Sequence, residues 1–123
     1  MVGSAGPLRV FVYGTLLAGE CNHGWLAGGR YLGNWTTAPR YRLVDTGPYP
    51  VLALGGRTAV RGEVYAINRL ILDQLDVLEG YPADYGRVLI PTGWGRAWVY
   101  RRRRAPAARL LFDGDWRRRP FPQ

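Results

Sequence analysis

The sequence predicts a mixed α+β domain: a small sheet of short strands curled into a β-barrel, with short helices at its side. Three observations carry this. Runs of β-branched and aromatic residues recur between turn residues, which 17 Gly and 9 Pro supply in abundance. Residues 69–79 alone show a clear helical period. The 123 residues fit one domain, 1–123, large enough to bury a core without staples, and 47% of them are hydrophobic. The two ends, 1–7 and 117–123, are expected to be loose.

Taken in order, Leu8 to Tyr13 is an apolar run stopped by Gly14 and predicts a buried first strand. Gly14-Thr15-Leu16 turns the chain, and Gly19 to Gly29 continues as a loop or short helix. Tyr31 to Thr37 and Arg40 to Val44 predict strands. Thr46 to Pro50 is turn-rich, and Pro50 excludes helix. Thr58 to Ile67 alternates with period two and predicts a strand. Asn68 is a fitting N-cap for a helix over Arg69 to Glu79, which Gly80 and Pro82 end. Arg87 to Thr92 and Arg96 to Arg101 predict a hairpin around Gly93-Trp94-Gly95. The remainder reads as irregular. There is no repeat, linker or second domain.

Composition narrows the function. Cys21 and His23 are the sole Cys and His, so no internal disulfide forms and no ordinary zinc site is available. No apolar stretch is long enough to span a membrane. The N-terminus lacks the basic and apolar regions of a signal peptide, which predicts a cytoplasmic protein. The net charge is +8, carried by Arg with no Lys; eight Arg against Asp113 and Asp115 lie in residues 101–123. The clusters at 101–104 and 117–119, with Trp116 and Phe121 nearby, permit a nucleic-acid footprint, but no nucleic-acid motif is present, and a solvated rim with a loose tail accounts for them.

Two features suggest chemistry. On a helical wheel with Ile71 at zero, Leu75, Leu78 and Leu72 fall at about 40°, −20° and 100°, and Glu79 at about 80°, within the apolar arc. Leu70 and Val77 fall outside it. A carboxylate turned to a core gains pKa and becomes a competent acid and base near neutrality. Equally, a helix-terminal Glu can swing into water or pair with an Arg. The second feature is the turn at Tyr13-Gly14-Thr15-Leu16, where glycine allows backbone N–H groups to approach an anion. Strand-then-glycine is also an ordinary turn. It is neither a phosphate loop nor a dinucleotide fingerprint.

Together these residues resemble a family. Phe11-Val12-Tyr13-Gly14-Thr15-Leu16, then Gly19, Asn22 and His23, is similar to the opening of the γ-glutamylcyclotransferase-like superfamily. Gly62-Glu63-Val64-Tyr65, Leu72-Asp73 to Leu75-Asp76, Glu79-Gly80-Tyr81, Tyr85 and Arg87 resemble its middle block. Trp98-Val99-Tyr100 and Gly114-Asp115-Trp116 resemble its small bacterial members, while the γ-glutamylamine cyclotransferases share the opening most closely. The likeness covers residues 8–118, and the pairing of the turn with Glu-Gly about 65 residues later is its most specific part.

The resemblance implies a β-barrel flanked by helices, with a cavity at one end. It implies a γ-glutamyl amine or amide as substrate, whose α-amino nitrogen attacks its own γ-carbonyl to release 5-oxoproline and the free amine. Glu79 matches the family's catalytic glutamate. Tyr13, Gly14, Thr15 and Leu16 match the substrate-holding turn, and Tyr85 is expected in the cavity wall, as are Pro48, Tyr49 and Pro50. Asn22, His23 and Arg87 are expected to support those residues from behind. No cofactor or metal is implied.

Competing readings are a non-catalytic binder of a small acidic metabolite on the same fold, and a basic nucleic-acid-associated protein. A Cys21–His23 nucleophile pair lacks an orienting third group and an oxyanion hole. The sequence does not distinguish a monomer from a homodimer.

Overall fold

The computed structural model of the protein describes residues 7–120. The ends at 1–6 and 121–123, including Phe121, lie outside the described residues. The strands are β1 (Leu8–Val12), β2 (Arg30–Thr36), β3 (Tyr41–Asp45), β4 (Pro50–Leu54), β5 (Arg61–Ile67), β6 (Gly86–Thr92), β7 (Gly95–Arg101) and β8 (Arg109–Leu110). One helix, α1 (Arg69–Leu78), joins β5 to β6. Single 3₁₀ turns lie at His23–Leu26 and Trp116–Arg118.

β1 is central because its side chains are apolar on both faces: Val10, Phe11 and Val12 are all buried. It pairs antiparallel with β5 and parallel with β7, in a five-stranded sheet ordered β2-β5-β1-β7-β6. A second sheet, ordered β4-β3-β8, packs beside it. Val51, Leu52 and Leu43 from this sheet meet Phe11, Val64 and Val99 from the first in one core.

The α+β class holds, but the expected closed barrel does not form. β2 and β6 are the edges of the large sheet and do not pair with each other. The sheet curls until the tip of the β6–β7 hairpin meets β2 through side chains instead: Trp94 packs edge-on to Trp35, ring centroids 6.5 Å apart, and sits against Gly33. The two sheets touch through the isolated bridges Tyr41–Thr58 and Ala53–Arg102. Aromatic contact thus does what ladder hydrogen bonds would do in a true barrel.

Three local expectations also change. β4 occupies 50–54, directly after the turn expected at 46–50 and in a stretch where the sequence reading places no strand. Its run Val51-Leu52-Ala53 is fully buried, and Pro50 stands at its first position, where a missing N–H is tolerated. β5 begins at Arg61 rather than Thr58, because Thr37 and Gly114 take the backbone bonds just before it and at its start. Residues 117–119 are not loose: Arg117 pairs with Glu63 at 3.1 Å and Arg119 with Glu20 at 3.2 Å.

The helix follows its wheel. Ile71, Leu72 and Leu75 are buried, and Leu70 and Val77 face water. Asn68 Oδ1 accepts from the Ile71 N–H at 2.8 Å, capping the first turn. At the other end Glu79 is the C-cap and Gly80 adopts φ +64°. The Tyr81 N–H reaches the Asp76 carbonyl and the Gly80 N–H the Val77 carbonyl, the paired bonds of a Schellman ending. This ending fixes where Glu79 leaves the helix.

Candidate active site

A cavity of about 310 Å³ opens between the end of β1, the end of α1 and the start of β4. Tyr13, Gly14, Thr15 and Leu16 line one side and Glu79 another. Asn22, Tyr49, Pro50, Tyr85, Tyr100 and Arg102 complete much of the wall, while Pro48 stays outside it. The turn and the carboxylate, far apart in sequence, therefore share one hollow.

The turn is shaped by its neighbours. A Cβ on Gly14 would overlap the Pro50 ring, so only glycine lets β4 close against it. The Leu17 N–H returns to the Gly14 carbonyl at 3.0 Å and the Asn22 N–H to the Thr15 carbonyl at 2.8 Å. Asn22 Nδ2 also donates to Thr15 Oγ1 at 3.0 Å. His23 Nδ1 donates to the Leu16 carbonyl at 2.9 Å, which fixes its tautomer and places it behind the turn. The N–H groups of Gly14, Thr15 and Leu16 find no partner among the described residues. Three unspent donors in a row make an anion-binding edge.

Behind the turn lies a buried network that the sequence does not foreshadow. Glu63 Oε1 accepts from the Ala18 N–H and the Tyr65 hydroxyl, both at 3.0 Å, and Oε2 accepts from Arg117 at 3.1 Å. Burial alone would raise the Glu63 pKa, but these donors outweigh it and hold it below the usual value. The Tyr65 hydroxyl is pushed up to about 12, by burial and then by Glu63. Trp116 Nε1 donates to Glu20 at 2.9 Å, and Arg119 stacks on the Trp116 ring. The C-terminal segment thus clamps the chain that leaves the turn.

Glu79 has a different environment. Burial pushes its pKa from 4.5 up to about 7, against a smaller opposing pull from Arg102. Tyr13 and Tyr85 are driven upward, chiefly by burial, and stay protonated at any physiological pH. The Tyr13 hydroxyl donates to the Tyr100 carbonyl at 2.6 Å and the Tyr85 hydroxyl to the Pro50 carbonyl at 3.3 Å. Both hydroxyls are spent on the frame, so Glu79 is the group in this wall that changes charge near neutrality.

Arg87 lies outside the cavity wall. Its guanidinium forms a two-pronged pair with Asp76, at 2.8 and 3.1 Å, and is sandwiched between Tyr81 and Trp98. Tyr100 donates to the same carboxylate at 2.6 Å. The Asp76 carboxyl is held low because those hydrogen bonds overcome the effect of burial. This network ties the last turn of α1 to β6 and β7, and so anchors Glu79 indirectly.

Arg102 departs most from expectation. Rather than joining a solvated rim, it lines the cavity and lies 4.5 Å over the Tyr85 ring. Its backbone is drawn in by bonds to Leu52 and Leu54. Tyr100, Leu78 and Asp84 are also in the wall, and sequence alone does not single them out. Period-two alternation in Trp98-Val99-Tyr100 could have indicated Tyr100; nothing local distinguishes Arg102 from its three arginine neighbours.

Cys21 is exposed and His23 is committed to Leu16, so the two do not form a nucleophile pair. Trp116 is 1% exposed and cannot stack on a base, and Arg117 and Arg119 are paired with acids. No helix among the described residues is long and apolar enough to cross a membrane. No group of three or more His, Cys, Asp or Glu side chains gathers among the described residues.

Comparison with known proteins gives the family and the fold. The sequence model of the family described as "Gamma-glutamyl cyclotransferase, AIG2-like" matches residues 10–118. A Vibrio cholerae relative is 45% identical over 108 residues, covering 87% of this chain and 93% of its own. The γ-glutamylcyclotransferase family protein YtfP of Escherichia coli is 37% identical over 110 residues, covering 89% and 96%. Its solution structure superimposes with a TM-score of 0.71. An AIG2-like protein from Mus musculus superimposes at 0.77, with 27% identity and 89% and 87% coverage. With residues 10–118 matched by the family model and relatives at 37–45% identity covered over nearly their whole length, the chain belongs to the γ-glutamylcyclotransferase, AIG2-like family.

Proposed function

We propose that the protein cyclises the γ-glutamyl group of a γ-glutamyl amine or amide to 5-oxoproline, with Glu79 as the proton-shuttling residue. The observation that carries this is a carboxyl group of pKa about 7 in the same 310 Å³ cavity as three unspent N–H donors.

The chemistry asks for little else. The substrate's α-ammonium cannot attack until it loses a proton, and ionised Glu79 takes it. The freed nitrogen attacks the γ-carbonyl carbon and closes a five-membered ring. As the original C–N bond breaks, protonated Glu79 delivers its proton to the departing nitrogen. One C–N bond forms and one breaks, no water is consumed, and the protons lost by the attacking nitrogen end on the released amine as its ammonium. A group with pKa near ambient pH serves both transfers, whereas one at 4.5 would be a weak base. Holding amine and carbonyl in attack geometry supplies much of the rate, since effective molarities reach roughly 10⁵–10⁸ M. The reaction needs no redox step. In this reading the N–H groups of Gly14 to Leu16 hold the glutamyl carboxylate, and Tyr85 packs against the carbon chain.

The test is a panel of γ-glutamyl amines, amino acids and peptides, read as 5-oxoproline release by wild type and Glu79→Gln. Turnover by wild type that Glu79→Gln abolishes supports the reading. Thermal stabilisation by 5-oxoproline with no turnover of any compound would replace it with that of a ligand-binding protein.

A further inference from the structure

We propose that Glu63 and Arg117 are positioning residues for substrate binding: together they grip Ala18, and through it they hold the N–H edge of Gly14, Thr15 and Leu16 in place for an anion. The inference rests on the cyclisation reading above in taking the glutamyl group as that edge's ligand, and deepens it by naming what presents the edge.

One residue closes the turn at both ends. The backbone of Glu63 stands opposite Val12, the last residue of β1, and so fixes the chain entering the turn. Its side chain accepts from the Ala18 N–H at 3.0 Å and so fixes the chain leaving it. The adjoining Gly62 has no room for a Cβ against the Val12 carbonyl, which keeps β5 tight on the first of these stems. Arg117 completes the grip: its Nη2 donates to the Ala18 carbonyl at 2.7 Å and to Glu63 Oε2 at 3.1 Å. Both backbone polar groups of Ala18 are thus held by an ion pair drawn from residues 45 and 99 positions away. Burial works against the Glu63 charge, but the Ala18, Arg117 and Tyr65 donors outweigh it and keep the carboxylate ionised at neutral pH.

The edge has little support of its own. Gly14, Thr15 and Leu16 spend no N–H on the described residues, so these three donors do nothing to fix the shape of the loop that carries them. Several donors serve one carboxylate only while they face one spot, and a displacement on the order of 1 Å at the exit of the turn is enough to spoil that. The glutamyl carboxylate takes no part in ring closure. An edge that grips it equally before and during the reaction sets KM rather than kcat.

The experiment titrates 5-oxoproline calorimetrically into wild type, Arg117→Met and Arg118→Met, with folding checked by their melting transitions. It also measures kcat and KM on a γ-glutamyl compound that wild type turns over. Arg117→Met keeps the aliphatic stem and loses the grip; its Kd for 5-oxoproline and its KM should each rise about tenfold, with kcat within about threefold of wild type. Arg117→Lys, whose ammonium can donate to the same two acceptors, should recover most of the loss. Arg118 lies in the same 3₁₀ turn but pairs with the exposed Asp113 at 3.7 Å, so Arg118→Met removes the same charge and should match wild type. If Arg117→Met does not fold, Glu63→Gln takes its place with the same split expected between KM and kcat. An unchanged Kd in folded Arg117→Met overturns the proposal, and so does an equal rise in Arg118→Met, which would make the effect one of overall charge. A kcat that falls while KM stays, or a wild type that does not bind 5-oxoproline, overturns it too. Absence of turnover on every compound would sink the cyclisation reading alone, because the titration reads the edge without the chemistry.

Discussion

Replacing Glu79 by Gln should stabilise the protein at alkaline pH while removing its chemistry. In the folded state burial lifts the Glu79 pKa from 4.5 to about 7. Between those values the folded chain keeps a proton that the unfolded chain releases, so wild-type stability falls as pH rises through this window. A tenfold change in proton affinity corresponds to about 1.4 kcal/mol, which puts the ceiling near 3 kcal/mol at pH 8. Access of water through the open mouth brings the expected gain for Glu79→Gln to roughly 2 kcal/mol. In a domain of this size that is about 6–10 °C in Tm. At pH 4 both proteins are neutral at this position and should melt within about 2 °C of each other. Thermal scans by circular dichroism from pH 4 to 8 read the difference. A gap that is constant across that range, or Glu79→Gln melting below wild type at pH 8, would refute the claim that the carboxyl is buried at a cost.

Other expectations follow from the surrounding frame. Gly14→Ala drives a methyl group into the Pro50 ring; it should cost about 1–3 kcal/mol in urea denaturation and lower kcat/KM at least about tenfold, because the turn must move. Glu63→Ala strands the Ala18 N–H, the Tyr65 hydroxyl and Arg117 and should cost about 3 kcal/mol at pH 7. Because the folded Glu63 pKa is depressed from 4.5, its contribution is full above that value and lost as pH falls through the folded one, so the deficit of Glu63→Ala should shrink on acidification. An unchanged deficit at pH 3 would contradict the ion-pair account.

What is legible in the sequence divides along physical lines. The helix, its Asn68 cap and its Gly80 ending can be read because local spacing and capping chemistry determine them. The inward turn of Glu79 follows from the same wheel, although geometry alone leaves a solvent-facing alternative open. β4 escapes notice because Val51-Leu52-Ala53 is too short a run to stand out between Pro50 and Gly55, yet it is buried on both faces. The barrel expectation fails because edge pairing is a non-local matter: nothing in β2 or β6 shows that the Trp35–Trp94 contact replaces their ladder. Arg102 is hidden for a similar reason. Four consecutive arginines look alike, and only the bridge to Ala53 turns the second of them into the cavity wall. Likewise the expected loose tail is pinned by Glu20 and Glu63, acids about 55 to 100 residues earlier.

The most direct test of the account is the pH dependence of 5-oxoproline release. With a substrate that turns over, kcat/KM should rise with pH along a limb of apparent pKa near 7, as Glu79 ionises, and Glu79→Gln should show no such limb and no measurable turnover. A wild-type limb near 4.5, or a Glu79→Gln protein that still releases 5-oxoproline at the wild-type rate, would show that the half-buried Glu79 carboxyl is not the group that moves the proton.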